Sequence, residues 1–231
     1  MRSGPSSPMI RSSTSVALVP VSLIAVVLIP TLFGALRLVE LAGGPELMPD
    51  HPGIDASPVP VVVHIISAVG YAVLGAFLFS THVRRRWPRW HRAAGRVVLV
   101  LGLAVAVSAL WMTLFYPRQP GTGELAFAFR LAFASGMAGS IVLGMRAVRR
   151  GDHRQHRAWM ARGYALALGA GTQVFTVGFA RAAFGSGEHV HDLSLGAGWV
   201  LNLAIAEYVI SRLGRWHGLS QPLTGPKARA R

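Results

Sequence analysis

The stretch AAGRVVLVLGLAVAVSALWMTLFY, residues 93–116, holds a single charge, Arg96, in a run otherwise suited to hydrocarbon. A bilayer core takes about 20 apolar residues as helix, so this run is long enough to cross one. In lipid every backbone N–H and C=O must be paired within the span, which a helix does alone. Strict apolar–polar alternation is missing, and that speaks against a barrel strand. Five other runs read the same way: Ser15–Leu38 and Pro58–Thr81 before it, and Glu124–Val148, Ala158–Phe184 and Leu193–Leu213 after it. The expected fold is therefore all-α, a polytopic membrane bundle of about six helices, with the second to fifth as a four-helix core.

Composition agrees. Of 231 residues, 52% are apolar and 14% charged, against about 25% charged in a soluble domain. The net charge of +14 would point to nucleic acid in a soluble chain. Here the arginines crowd short connections between apolar runs, the placement that orients membrane proteins, so no nucleic-acid partner is expected. There is no cysteine, which excludes disulfides, thiolate metal sites, iron–sulfur clusters and covalent haem.

The charges alternate along the chain. Arg84, Arg85, Arg86, Arg89 and Arg92 follow the second run; Arg149, Arg150, Arg154 and Arg157 follow the fourth; Arg212, Arg215, Lys227, Arg229 and Arg231 follow the sixth. The other connections carry Glu46, Asp50, Asp55, Glu188 and Asp192, with Arg118 as the clear cation. The positive-inside rule then predicts an inner (plasma) membrane protein with both termini cytoplasmic. A signal peptide is the rival reading of the first run, whose length favours a retained helix. Residues 1–13 and 217–231 read as disordered tails around a membrane domain at 14–216. The GGPELMPDHPGIDAS loop, 43–57, is turn-rich.

Ionisable residues inside a membrane are expensive, so each needs a reason. His64 leads the row His64, Ser67, Ala68, Tyr71, Gly75, a single helix face that is small and polar and therefore points into the bundle. It is a bundle hydrogen bond, a proton-handling group or a haem ligand. Arg130 and Arg181 read as snorkelling to the outer interface. Glu207 calls for a partner such as Arg162 or Arg96. His91 and His156 each open an expected span, each precedes an arginine, and each has a glycine on its own face, Gly95 and Gly163. Two histidines at one depth suit the axial positions of one haem b, with Arg92, Arg96, Arg157 and Arg162 for its propionates. Interfacial lipid anchoring is the competing reading of the same residues. The EHVHD string, 188–192, offers metal-binding side chains, but it is local and has no rigid element to orient it, so a metal site there is not expected. The runs show no pair of broken helices of the transporter kind.

Two motifs carry a resemblance. HRAAGRVVLVLG (91–102) and GDHRQHRAWMARGYALALGAGTQVF (151–175) resemble the paired His-Arg-x-x-Gly-Arg and His-Arg-x-Trp-Met-x-Arg-x-Tyr-Ala-Leu motifs of domain-of-unknown-function family 2306, bacterial predicted membrane proteins. The resemblance covers about 59–179 and implies a membrane location without a settled activity. The layout is also distantly similar to two-haem membrane b-type cytochromes, although the fourth span offers Arg130 where a ligand histidine would stand. Two functions follow as expectations. One is a b-type electron-transfer protein working with membrane quinone or another redox partner, with His64, Tyr71 and Gln173 lining a second site nearer the outside. The other is a cofactor-free protein that binds or carries lipid or a small solute, or supports a complex.

Overall fold

A computed structural model describes residues 13–219, and the side chains of 20–212. The chain runs α1 (Ser13–Leu41), α2 (Pro52–Ala56), α3 (Val59–Leu78), α4 (Thr81–Arg86), α5 (Pro88–Phe115), α6 (Glu124–Arg149), α7 (His153–Ala167), α8 (Gly169–Phe184) and α9 (Glu188–Leu219). No strand occurs among the described residues. Most of α1, with α3, α5, α6 and α9, is long and apolar enough to cross a membrane. The chain is an all-α polytopic membrane protein. The tails expected at 1–13 and 217–231 lie almost wholly outside the described residues, although the α9 backbone continues to Leu219.

Local sequence sets the helix ends. Pro88 stands in the first turn of α5, where its missing N–H costs nothing. The Ser80 hydroxyl accepts from Val83 N at the start of α4, and the Asp152 carboxylate accepts from Gln155 N at the start of α7. Gly151 and Gly185, with φ of 78° and 86°, turn the chain where a Cβ would be strained.

The fifth expected span, Ala158–Phe184, is not one helix but α7 and α8. Leu168 N still reaches Tyr164 O at 3.1 Å, and Thr172 N resumes the regular pattern on Leu168 O, but Gly171 N between them also bonds Leu168 O instead of Ala167 O. The helical ladder is therefore interrupted at Leu168, a break that hydropathy does not register.

Packing follows chain order. α3 lies on α5, α5 on α6, α6 on α7, and α8 on α9, with α1 against α3 and α8. The core gathers Tyr71, Ala76, Ala106, Met137, Ile141 and Tyr164, all nearly inaccessible. Small residues make the approaches close, as expected where lipid gives helices no hydrophobic reason to associate. A Cβ on Gly102 would lie 2.5 Å from the Tyr71 ring, and one on Gly75 as close to the Tyr164 ring. Tyr164 donates its hydroxyl proton to the Ala72 carbonyl at 2.7 Å.

Candidate functional site

The bundle has two chemically different ends. Arginine-rich α4, the first turn of α5, and the α6–α7 connection share one, the basic end. The α5–α6 and α8–α9 connections share the other.

Near that other end a cavity of about 420 Å³ lies between α3, α5, α6, α8 and α9. Its walls are largely apolar: Ala68, Ala109, Met112, Phe127, Phe133, Met137 and Trp199. His64, Arg130 and Gln173 also line it, each from a different helix. The break contributes Leu166, Ala167 and Ala170, so the irregular backbone borders a cavity, the setting in which membranes tolerate it. The connection from Pro117 to Gly123 and the α2 residue Ile54 complete the rim.

The hydrogen bonds around His64 fix its tautomer. His64 Nδ1 lies 3.1 Å from Ser108 Oγ. Ser108 has one hydroxyl proton, directed at the Ala104 carbonyl at 2.6 Å and the Val105 carbonyl at 3.0 Å. The serine oxygen must therefore accept, and Nδ1 carries the proton. A neutral imidazole then bears its lone pair on Nε2. Ser108 was not singled out in the sequence; a lone serine in a long apolar run carries no signal of its own.

Gln173 is oriented by donating from Nε2 to the Leu195 carbonyl at 3.1 Å, which leaves its amide oxygen available. Arg130 is half-buried and makes no hydrogen bond or ion pair with any described residue; its charge feels Asp192. The expected snorkelling to the interface is replaced by a place in the cavity wall. Arg181 is exposed, as expected. Tyr71, expected beside His64 and Gln173, is 3% exposed and belongs to the core.

Asp192 is 1% exposed and accepts from Gly123 N at 3.0 Å and Ala126 N at 3.1 Å. It caps α6, whose own preceding residue, Gly123, has no side chain to do so. The EHVHD string is thus the first turn of α9 rather than a loop, and its aspartate is spent on backbone. No group of three or more potential metal ligands occurs among the described residues.

At the basic end, His156 Nδ1 lies 2.9 Å from the Gly144 carbonyl. A carbonyl only accepts, so Nδ1 holds the proton and Nε2 is free, the bracing used for metal-ligating imidazoles. His91 is close enough to feel the charge of His156 and Arg84, and its Nδ1 is buried without a hydrogen bond among the described residues. Burial, then Arg157 and Arg85, lower the pKa of Arg84 from its ordinary value. The two histidines are thus brought to one region.

Arg162 is engaged with Glu207 of α9, Nε to Oε1 at 2.5 Å and Nη2 to Oε2 at 3.0 Å, and lies over the Trp159 ring. Arg92, Arg96 and Arg157 are exposed. Gly95 has open space beside it, but a Cβ on Gly163 would meet Ser140, Ile141 and the Tyr71 hydroxyl at 3.5–3.6 Å. Tyr71 and Ile141 also abut Gly102 of α5, so these two side chains fill the space between α5 and α7 about two to three turns further into the bundle than His91 and His156.

The chain belongs to the family described as predicted membrane proteins, DUF2306, whose profile matches residues 61–210. That match takes in α9 with Asp192, Asn202 and Glu207, beyond the stretch whose motifs carried the resemblance. No match was found among curated proteins or among solved structures.

Proposed function

We propose that this member of the predicted-membrane-protein family is a cofactor-free protein that binds a small amphiphilic molecule in the cavity beside the helix break. One observation supports this reading most. His64, Arg130 and Gln173 come from three helices to line one apolar-walled space of about 420 Å³. A few polar groups in an apolar concavity of roughly 300–1,000 Å³ is the usual make-up of a ligand site. We read the basic end as the cytoplasmic one by the positive-inside rule, which would set the cavity toward the outer side of the membrane. Interrupted helices form the substrate sites of many carriers, which favours binding of a ligand at this break over a purely structural role.

The electron-transfer reading assigns haem b to His91 and His156 and quinone to the outer site. The bracing of His156 by Gly144 supports it; the engagement of Arg162 with Glu207 takes away one of the groups expected at the propionates. A quinone is itself an amphiphile and remains one candidate for the cavity.

The test is native mass spectrometry of the gently purified protein, with a reduced-minus-oxidised absorption spectrum of the same sample from a haem-replete host. The expected result is a colourless protein carrying a small amphiphile, which is lost in Ala109→Phe, a substitution that fills the cavity. A haem absorption band abolished by His91→Ala and His156→Ala would overturn this reading in favour of a cytochrome.

A further inference from the structure

We infer that the ligand of this cavity is a monoanionic amphiphile, an apolar body bearing one carboxylate-like head, with Arg130 as the group that selects its charge. The inference rests on the ligand-binding reading above and concerns which ligand.

The charge inventory carries it. No aspartate or glutamate is among the described residues that line the cavity. Two arginines are. Arg118 lies at the exposed rim and is already paired with Glu124 through both of its terminal nitrogens. Arg130 has no such partner among the described residues. The nearby acid that its charge feels, Asp192, gives its oxygens to Gly123 N and Ala126 N. A guanidinium carries five N–H donors and cannot shed its charge. Held in an apolar wall without a hydrogen-bonded partner it is costly, and an anion that accepts from it offsets that cost.

The other polar groups refine the choice. The hydroxyl protons of Thr113 and Tyr116 are directed at the carbonyls of Ala109 and Ser57, so neither is free to donate to a ligand. His64 offers a lone pair at Nε2. Gln173 offers its amide oxygen and its second amide N–H, and His51, whose Nδ1 accepts from Gly53 N, offers a neutral donor at Nε2. Arg130 is thus the one charged donor of the lining left without a hydrogen-bonded partner among the described residues, and it sets the charge of the head. A dianion such as a phosphate monoester would find a single unpaired cation, which disfavours it. The remaining wall, with Met112, Phe133, Met137 and Trp199, suits a hydrocarbon body.

Trp199 supplies the readout. The probes are 11-bromoundecanoate and 11-bromoundecanol, of equal length and differing in head charge. Protein in phosphatidylcholine nanodiscs is titrated with each at a pH at which the acid is ionised. Bromine quenching of Trp199 is isolated as the difference from Trp199→Phe. The expected result is tighter binding of the carboxylate by about tenfold or more, the worth of one charge-assisted hydrogen-bonded contact. That preference should vanish in Arg130→Gln and persist in Arg130→Lys and in Arg181→Gln, a change at an exposed arginine. Equal affinity for acid and alcohol in the unaltered protein would overturn the charge assignment and leave the cavity reading standing. No saturable Trp199 quenching by either probe, with Ala109→Phe indistinguishable from the unaltered protein, would overturn both.

Discussion

Asn202 donates from Nδ2 to the Ala165 carbonyl at 3.2 Å, an acceptor that the break at Leu168 leaves without its helical donor. The same side chain accepts from the Thr172 hydroxyl at 2.8 Å, so one residue of α9 holds α7 and α8 together across the interruption. Asn202→Leu removes both bonds and leaves a buried carbonyl unsatisfied. We expect a loss of about 1–2 kcal/mol, the usual range for such groups in membrane bundles. Thermal denaturation in detergent would show it as a lowered midpoint. An unchanged midpoint would mean that another donor replaces Asn202 at the break.

Gly171 stands where α8 meets α1. A Cβ there would lie 2.2 Å from the Val26 carbonyl oxygen, and backbone cannot step aside as a flexible side chain does. Gly171→Ala should therefore push α1 from α8 and lower the denaturation midpoint, by about 1–3 kcal/mol as overpacking commonly costs. Gly178 lies two turns further on the same helix with nothing within 4 Å. Gly178→Ala should be neutral or slightly stabilising, since alanine is the better helix former. Equal effects from the two would refute the packing account.

The bundle itself was legible because a span announces itself by length and hydropathy, and the boundaries of α3, α5 and α6 follow the apolar runs. The Arg162–Glu207 pair was legible too, since a carboxylate in a span needs a cation and few were within reach. The break was not. Leu166, Ala167 and Leu168 are ordinary helical residues, and the partners that meet the interruption, Trp199 against Gly169 and Asn202 on Ala165, come from another helix. Arg130 was misplaced for a related reason: depth in the sequence does not say whether a long side chain runs toward the interface or into a cavity. Asp192 counted in the sequence only as one acid of an outer connection, because its real partner, the first turn of α6, is remote in the chain.

That cap yields a sharp contrast between neighbours. Asp192→Ala strips Gly123 N and Ala126 N of their acceptor in a place closed to water, and removes a negative charge from a helix N-terminus. The expected cost is about 2 kcal/mol, with faster hydrogen exchange confined to the start of α6. Glu188, exposed on the same turn of α9, should tolerate alanine with little change in midpoint. Added zinc should not raise the midpoint of the unaltered protein, because the one buried carboxylate of the string is already engaged. A zinc-dependent rise lost in Asp192→Ala would show that the string binds metal after all.

At the basic end the comparison is between a visible ion pair and a hidden hydroxyl. The Arg162 and Glu207 side chains are 26% and 51% exposed, so water and salt screen much of their attraction, and pairs of this kind contribute about 0–1 kcal/mol. Tyr164 is 4% exposed and its hydroxyl satisfies the Ala72 carbonyl inside the bundle, where a missing donor is not replaced by water. Tyr164→Phe should therefore cost about 1 kcal/mol or more at any ionic strength. Glu207→Gln should cost less, and its effect should shrink further as salt is added. Denaturation midpoints of both variants at low and high salt decide the matter. A larger, salt-insensitive loss in Glu207→Gln would mean that the pair is shielded by lipid and serves as a structural lock between α7 and α9.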